Sequence, residues 1–247
     1  MSDVVLVTGA SSDVGCALLT RLADHDAVVY AHHARGGDKL RAHLATLPEA
    51  RARFLPIQAD FGVAADVDAL IATIRGEHVR PNKIVHLSAV PLKLQRFSAL
   101  DWSEVQADID VSLRSITAIL RAFLPVLARE RTPARVVVVL SSVTVGEPAK
   151  GMSAYTVVKF ALLGLVRALA VEFADKGIGV NAVSPYTMET PFLAGLPHKY
   201  VEISAAQNPR GRNATPTDVV PAIEFLLSDA SGFVTGINLP VTGGAAF

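Results

Sequence analysis

Apolar and polar positions along the chain alternate between two rhythms. Val4–Thr8 is a short β-branched run, and Val14–Ala23 follows it with apolar residues at helical spacing. Val28–Ala31 and Asp38–Leu47 repeat that order, as do Phe54–Gln58 and Val63–Arg75. Lys83–Leu87 predicts a fourth strand, and helical periodicity then runs from about Trp102 to Glu130. Arg135–Ser141 is almost purely Val and Leu, and Ser153–Lys176 is a second long helix. Gly179–Ser184, Thr217–Leu227 and Ile237–Val241 predict a strand, a helix and a last strand.

Strands that alternate with helices imply parallel pairing through right-handed crossovers. The run Arg135–Ser141 is apolar on both faces, which suits a central strand covered on both sides. The expected architecture is α/β: a Rossmann-like, doubly wound parallel sheet of about seven strands with helices on both faces. It forms one domain over residues 1–247. About 186–210 is proline-rich and weakly periodic, and reads as a loop or helical flap covering the substrate. Open parallel sheets bind ligands beyond the carboxyl ends of their strands.

The remaining composition narrows the class. Apolar residues make up 51% of the 247, enough for a large core. Lys and Arg total 23 against 23 Asp and Glu, so no basic excess points to nucleic acid. The single Cys16 excludes an internal disulfide framework. The most apolar runs, Val136–Leu140 and Phe160–Val166, are far shorter than the roughly 20 residues of a membrane span. The start lacks the charge and apolar order of a secretory leader, so a soluble cytoplasmic protein is expected.

Strand one ends in Thr8-Gly9-Ala10-Ser11-Ser12-Asp13-Val14-Gly15. Glycines here let the backbone turn sharply and approach a pyrophosphate at the following helix N-terminus. Asp13 would repel a diphosphate unless it caps that helix, so Asp13 is the expected N-cap, with Ser11 and Ser12 near the cofactor. Sites that bind NAD place a carboxylate at the end of strand two, for the ribose 2′-OH. That segment reads Ala31-His32-His33-Ala34-Arg35 and offers none. Arg35 suits a 2′-phosphate, so NADP(H) is preferred and NAD(H) stays open. Asp60, after strand three, is a candidate acceptor for the adenine amino group.

Tyr155 and Lys159 lie four apart on a predicted helix, hence on one face. An ammonium beside a phenol is expected to lower its pKa and make it an acid or base near neutral pH. Ser142 leaves strand five thirteen residues before Tyr155 and is placed to hold a substrate oxygen.

With Thr8–Gly15, Asp60, Ser142, Tyr155-Thr-Val-Val-Lys159 and Val180-Asn-Ala-Val-Ser-Pro185, the sequence resembles the short-chain dehydrogenase/reductase family. It is most similar to the β-ketoacyl-acyl-carrier-protein reductase branch, and the resemblance covers essentially the whole chain. It implies Tyr155 as general acid/base, Lys159 as its tuner and ribose ligand, and Ser142 as orienter. It also implies nicotinamide contacts from Met188 and Thr190, and a homotetramer, or a dimer. The cofactor set is then Gly9, Ser11, Ser12, Asp13, Val14, Gly15, Arg35 and Asp60. Ser88, Tyr155, Lys159, Pro185, Met188 and Thr190 complete it.

Four positions depart from the family pattern. Asp13 replaces the middle glycine, His86-Leu87-Ser88-Ala89 replaces Asn-Asn-Ala-Gly, and Tyr186 replaces the glycine after Pro185. The family's active-site asparagine, which supports a water linking the lysine to solvent, falls on Ser112. His86 is expected to be a satisfied structural histidine, and His32-His33 exposed or beside the adenosine. Neither belongs to a Cys/His cluster with metal-ligand spacing.

The expected activity is NADP(H)-dependent reduction of a ketone, including a β-ketoacyl thioester, with Tyr155 as proton donor. The alternatives are an NAD(P)-dependent alcohol or polyol dehydrogenase and a non-catalytic dinucleotide-binding module. The substrate is a small molecule or acyl thioester. Arg129, Arg131, Arg135 and Lys176, expected to flank the mouth of the site, are the candidate contacts to acyl carrier protein.

Overall fold

The computed structural model describes residues 3–47, 49–77 and 79–247. Seven strands form one parallel sheet in the order β3-β2-β1-β4-β5-β6-β7. They are β1 Asp3–Thr8, β2 Ala27–His33, β3 Arg53–Gln58, β4 Lys83–His86, β5 Ala134–Val139, β6 Ile178–Pro185 and β7 Asn238–Val241. The valine run of β5 shows why the sheet is covered twice. Val136 and Val138 pack into one core with α3 Ala64–Gly76, α5 Ser115–Glu130 and α6 Ser153–Phe173. Val137 points the other way, to α1 Asp13–Leu22, α2 Gly37–Leu44 and α8 Pro216–Leu227. Successive side chains of a strand take opposite faces, so a strand between two helical layers must be apolar throughout.

The long helix predicted from Trp102 to Glu130 is continuous but not uniform. α4 Trp102–Asp108 passes through a π-helical stretch, Ile109–Arg114, into α5. By length and composition Trp102–Glu130 could cross a membrane. Its apolar face instead enters the core, with Ile116, Ile119, Leu120, Phe123, Leu124 and Leu127 all buried. Such a helix packs its stripe on a sheet.

The switch point of the sheet lies between β1 and β4, where the chain order reverses. A cavity of about 1040 Å³ opens there beyond the carboxyl ends of the strands, as the rule for open sheets requires. Residues after β6 roof it. They form a short 3-10 turn, Pro191–Leu193, and α7 His198–Gln207, so the predicted flap is helical.

Candidate active site

The glycine-rich turn is fixed by contacts that only glycine permits. Gly9 has φ +69°, and a Cβ there would lie 3.1 Å from the backbone of Leu87 and Ser88. A Cβ on Gly15 would fall 2.5 Å from the Ala10 carbonyl oxygen, so the first helix could not approach the first strand. Ser12, not Asp13, caps α1: its extended backbone lets Oγ accept from Gly15 N–H at 3.0 Å. Asp13 comes one residue later, in the first turn, where its charge suits the helix dipole. Its carboxylate is turned aside into an ion pair with Lys39 of α2. The α1 N-terminus therefore still faces the cavity, whose wall includes Gly9, Ser11, Ser12, Asp13 and Val14. Gly15 stands behind it as a packing position.

His32 is buried rather than exposed, and so is His33. Gly9 N–H donates to His32 Nδ1 at 3.1 Å, and Nε2 meets the Ala59 carbonyl at 3.0 Å. A carbonyl only accepts, so Nε2 carries the proton. Burial pushes the pKa of His32 down to about 4 and keeps the ring neutral. The ring stacks on Phe61 with centroids 3.9 Å apart. It thus ties the turn after β1 to the segment after β3, and both His32 and Phe61 line the cavity. Asp60 lines it too, its Oδ1 accepting from Gly62 N–H at 2.9 Å. Arg35 is exposed on the rim and, among the described residues, forms no ion pair.

These residues fit a nicotinamide dinucleotide. The turn offers backbone N–H groups at a helix start, and Ser88 adds a buried Oγ that has no partner within the protein. A buried hydroxyl left unpaired is costly, and a ligand oxygen or ribose would satisfy it. Farther in, Pro185, Met188 and Thr190 line the same cavity.

Tyr155 and Lys159 stand on one face of α6 as predicted. The Lys159 Nζ is 5.5 Å from the centroid of the Tyr155 ring and donates to the Val139 carbonyl at 3.1 Å. Lys159 is 5% exposed, and burial pushes its pKa down to about 8. The expected lowering of the phenol pKa is reversed. Burial raises it above the ordinary tyrosine value, the Ser141 hydroxyl lowers it, and Asp108 and Tyr200 raise it further. Desolvation disfavours the phenolate more than its neighbours favour it.

Two serines follow β5, and both line the cavity with Tyr155. Ser141 continues the extended backbone of β5 (φ −168°, ψ 158°) and caps the 3-10 turn Ser142–Thr144. Ser142 opens that turn, thirteen residues before Tyr155 as the sequence places it, and lines the cavity too.

Ser112 is buried and does not face the cavity. Its hydroxyl donates to Asp108 Oδ1 at 2.8 Å. Its carbonyl accepts from His86 Nε2 at 2.8 Å, while His86 Nδ1 meets Thr8 Oγ1 at 2.8 Å. His86 is therefore the satisfied structural histidine expected. Burial pushes its pKa down to about 3, so it is uncharged. Asp108, overlooked in the sequence, is the carboxylate that acts on both Lys159 and Tyr155. Its signal was weak: an aspartate four residues before a serine in an irregular helical stretch.

The substrate end is apolar. Leu92, Val143, Met152, Leu193 and Leu196 form a small cluster of their own, with Tyr155, Phe192 and Tyr200 packed against it. The Phe192 ring lies 6.0 Å from that of Tyr155, tilted by 49°. Tyr186 lines this space, and its OH donates to the Ser204 carbonyl at 3.0 Å, which ties the end of β6 to α7. The basic rim is not at this mouth. Arg129 lies in the last turn of α5, Arg131 caps it, Arg135 is the second residue of β5 and Lys176 precedes β6. A helix that feeds a parallel strand returns to the strand's amino end, so all four lie at the opposite end of the sheet from Tyr155.

Comparison with known proteins agrees with this geometry. A family model described as enoyl-(acyl carrier protein) reductase matches residues 9–246. The cis-4-hydroxycyclohexanecarboxylate dehydrogenase of Sinomonas cyclohexanicum is 32% identical over 98% of this chain and 95% of its own. A 3-oxoacyl-[acyl-carrier-protein] reductase of Staphylococcus aureus is 29% identical over 99% and 98%. Among solved structures, levodione reductase superposes with a TM-score of 0.89 at 25% identity, over 98% and 96% of the two chains. A gluconate 5-dehydrogenase assigned to Beutenbergia cavernae, with bound NADP, gives 0.88 at 27%, covering 98% and 96%. A 3-ketoacyl-(acyl-carrier-protein) reductase of Brucella melitensis complexed with NADH gives 0.86 at 25%, covering 99% and 98%. The match spans the turn, the catalytic helix and the last strand, and the chain belongs to the short-chain dehydrogenase/reductase family of nicotinamide-dependent oxidoreductases.

Proposed function

We propose that the protein reduces a compact, apolar ketone to a secondary alcohol with NADPH. The carrying observation is the half-buried Tyr155 phenol, one helical turn from Lys159, in an apolar chamber that is continuous with the dinucleotide groove. A phenol there can donate a proton to a carbonyl oxygen that sits at the nicotinamide. When bound, the nicotinamide supplies the hydride. Ser142 orients the carbonyl oxygen, Tyr155 protonates it, and Lys159 stabilises the phenolate that remains. Ser141 is a second candidate for the orienting role, since it lines the same cavity but caps the turn through its Oγ, and Ser112 acts only through Asp108. Gly9, Ser11, Ser12, Val14 and Ser88 hold the phosphates and ribose, with Asp60 at the adenine.

NADP(H) is preferred over NAD(H) because β2 ends without a carboxylate and Lys39 is engaged by Asp13. Among the described residues, Arg35 is then a cation on the rim that makes no ion pair. A thioester on acyl carrier protein gains no support from Arg129, Arg131, Arg135 and Lys176, given their place in one chain. A small free ketone therefore ranks above a carrier-bound one. The names of two relatives, a hydroxycyclohexanecarboxylate dehydrogenase and levodione reductase, favour a cyclic substrate. The first of those names also supports the second reading, oxidation of a cyclic alcohol. We take the protein to act as a homo-oligomer, a tetramer or dimer: α6 leaves Val157 and Phe160 exposed three residues apart.

The test is loss of NADPH absorbance with cyclic diketones, substituted cyclohexanones and acetoacetyl thioesters, each repeated with NADH. Turnover of cyclic ketones above the thioesters is expected. Oxidation of cyclic alcohols without measurable ketone reduction would reverse the assigned direction.

A further inference from the structure

Three polar side chains meet behind the serine turn, where β5, β6 and β7 run side by side. Thr144 closes the 3-10 turn Ser142–Thr144 that follows β5, Ser184 lies near the end of β6, and Asn238 begins β7. Thr144 Oγ1 and Ser184 Oγ are 2.8 Å apart. Ser184 Oγ donates to Asn238 Oδ1 at 2.7 Å, and Asn238 Nδ2 donates to Thr144 Oγ1 at 3.0 Å. Thr144 and Ser184 are buried, and none of the three lines the cavity. They touch neither dinucleotide nor substrate, and the proposed reduction gives them no task.

This clasp ends on the backbone that carries Ser142. Thr144 has one hydroxyl hydrogen and donates it to the Ser141 carbonyl at 2.8 Å. Toward β7 the hydroxyl can therefore only accept, and the Asn238 amide supplies the donor. The Thr144 N–H meets the same Ser141 carbonyl at 3.0 Å. That carbonyl and the Ser142 N–H belong to one planar peptide unit, so holding the oxygen holds the plane that leads into Ser142. The next plane is held too, because the Ser142 carbonyl accepts from Val145 N–H at 3.1 Å and Gly146 N–H at 2.8 Å. Among the described residues no hydrogen bond engages the Ser142 hydroxyl, which joins the cavity wall. Its place is therefore set through the backbone on either side.

The sheet alone does not provide this. The ladder from β5 to β6 pairs residues as far as Val139 with Val183, and the Leu140 N–H adds one bond to the Val183 carbonyl. Beyond Leu140 the chain leaves the ladder for the turn. Thr144, Ser184 and Asn238 replace ladder bonds with side-chain bonds at the point where the serine must be placed. An asparagine suits the far end, because one amide offers an acceptor to Ser184 and a donor to Thr144.

We propose that Thr144 and Asn238 are positioning residues, which hold the Ser141–Ser142 peptide so that the Ser142 hydroxyl meets the substrate carbonyl. Preorganised donors contribute to rate only when they already stand where the oxygen will be, so a loosened turn costs turnover before it costs dinucleotide binding. This inference rests on Ser142 being the orienting hydroxyl.

A double-mutant cycle tests it, with kcat read on the cyclic ketone, or on the cyclic alcohol if the enzyme runs oxidatively. Thr144→Val keeps the shape and removes the hydroxyl. It is expected to lower kcat about tenfold and to leave NADPH affinity within about twofold, while Thr144→Ser stays close to the wild type. Adding Thr144→Val to Ser142→Ala is expected to cost less than about twofold further, because the group being positioned is already gone. Multiplying losses would overturn the proposal, since the clasp would then act on something other than Ser142. So would a folded Thr144→Val enzyme with full kcat. If Thr144→Val does not fold, Asn238→Asp is read instead. It turns the donor that faces Thr144 into an acceptor and draws the threonine hydrogen away from the Ser141 carbonyl. A kcat loss that vanishes in the Ser142→Ala background supports the proposal, and an unmoved or multiplying kcat overturns it. A Ser142→Ala enzyme with full kcat removes the reading of Ser142 and the inference with it. An impaired Ser142→Ala beside an unimpaired Thr144→Val removes the inference alone.

Discussion

The catalytic helix and the dinucleotide turn sit on one cavity but are built by opposite means. α6 carries Tyr155 and Lys159 on a single regular helix, so their relation is set by four residues of sequence. The turn after β1 depends on groups far along the chain. Gly9 is held by His32, His32 by Ala59, and Asp13 by Lys39. Local geometry makes the chemistry robust and readable, while the groove that feeds it is held by pairings whose loss is felt in binding and stability. Variants in the two regions should therefore fail in different observables.

The largest effect is expected at Tyr155. Tyr155→Phe removes the proton donor and little volume, so kcat should fall by about three orders of magnitude. NADPH affinity, read by fluorescence titration, should change less than about threefold, since the groove is held elsewhere. A joint loss of binding and turnover would erase the contrast between the regions. Next is the serine. Ser142→Ala should lower kcat by at least tenfold more than Ser141→Ala, because the Ser141 hydroxyl is engaged by the Val143 N–H while Ser142 lines the cavity. The reverse order would move the orienting role to Ser141.

The pH dependence follows from the same helix. Lys159 has a folded pKa near 8, below the ordinary lysine value, so it loses its charge as pH rises through 8. Tyr155 keeps its proton beyond that point. Reduction should then hold through neutral pH and decline above about pH 8 as the ammonium that stabilises the phenolate is lost. The stability linkage has a definite sign. Between that folded pKa and the unfolded one, the unfolded chain binds more protons at this site, so its contribution to stability rises with pH. A reduction profile still flat well above pH 8 would count against Lys159 as the tuner.

On the groove side, His32→Ala should act mainly on binding and stability. It leaves the Gly9 N–H without its acceptor and opens a void against Phe61. A loss of about 2–4 kcal/mol is expected in a denaturant titration, with NADPH affinity weakened about tenfold or more. Turnover at saturating NADPH should stay within about threefold of the wild type. A matching collapse of kcat would mean that the turn and the catalytic helix are coupled.

What was readable in the sequence follows the same division. The strand and helix order, the two-sided burial of β5 and the pairing of Tyr155 with Lys159 all follow from periods of two and 3.6 residues. The roles of His32, Asp108 and Lys39 do not. Each depends on a partner many residues away, or on a π turn that breaks the helical period. Ser141 and Ser142 share the same chemistry and both line the cavity, so only the end of β5 distinguishes them. The N-cap slipped from Ser12 to Asp13 by the same one-residue margin, because both side chains suit the position. Arg129 and Arg131 were misplaced because a basic cluster in sequence carries no information about which end of a strand it lies on.

The smallest effects concern the rim, where selectivity between two dinucleotides is decided. Arg35→Ala should weaken NADPH about tenfold and leave NADH within about twofold, since a guanidinium matters only where there is a 2′-phosphate to meet. The folded protein should be unaffected, because Arg35 is exposed and makes no ion pair among the described residues. Lys39→Met adds a finer test of the same rim. It frees Asp13 from its partner and returns a bare carboxylate to the mouth of the phosphate site. Exposed pairs contribute only about 0–1 kcal/mol to stability, so Tm should move little. Both dinucleotides should nonetheless weaken together, by about twofold to fivefold, because the diphosphate is common to both. If Lys39→Met weakens NADPH alone, Lys39 rather than Arg35 meets the 2′-phosphate. Asp13 would then hold that lysine in position for the 2′-phosphate instead of merely being neutralised by it.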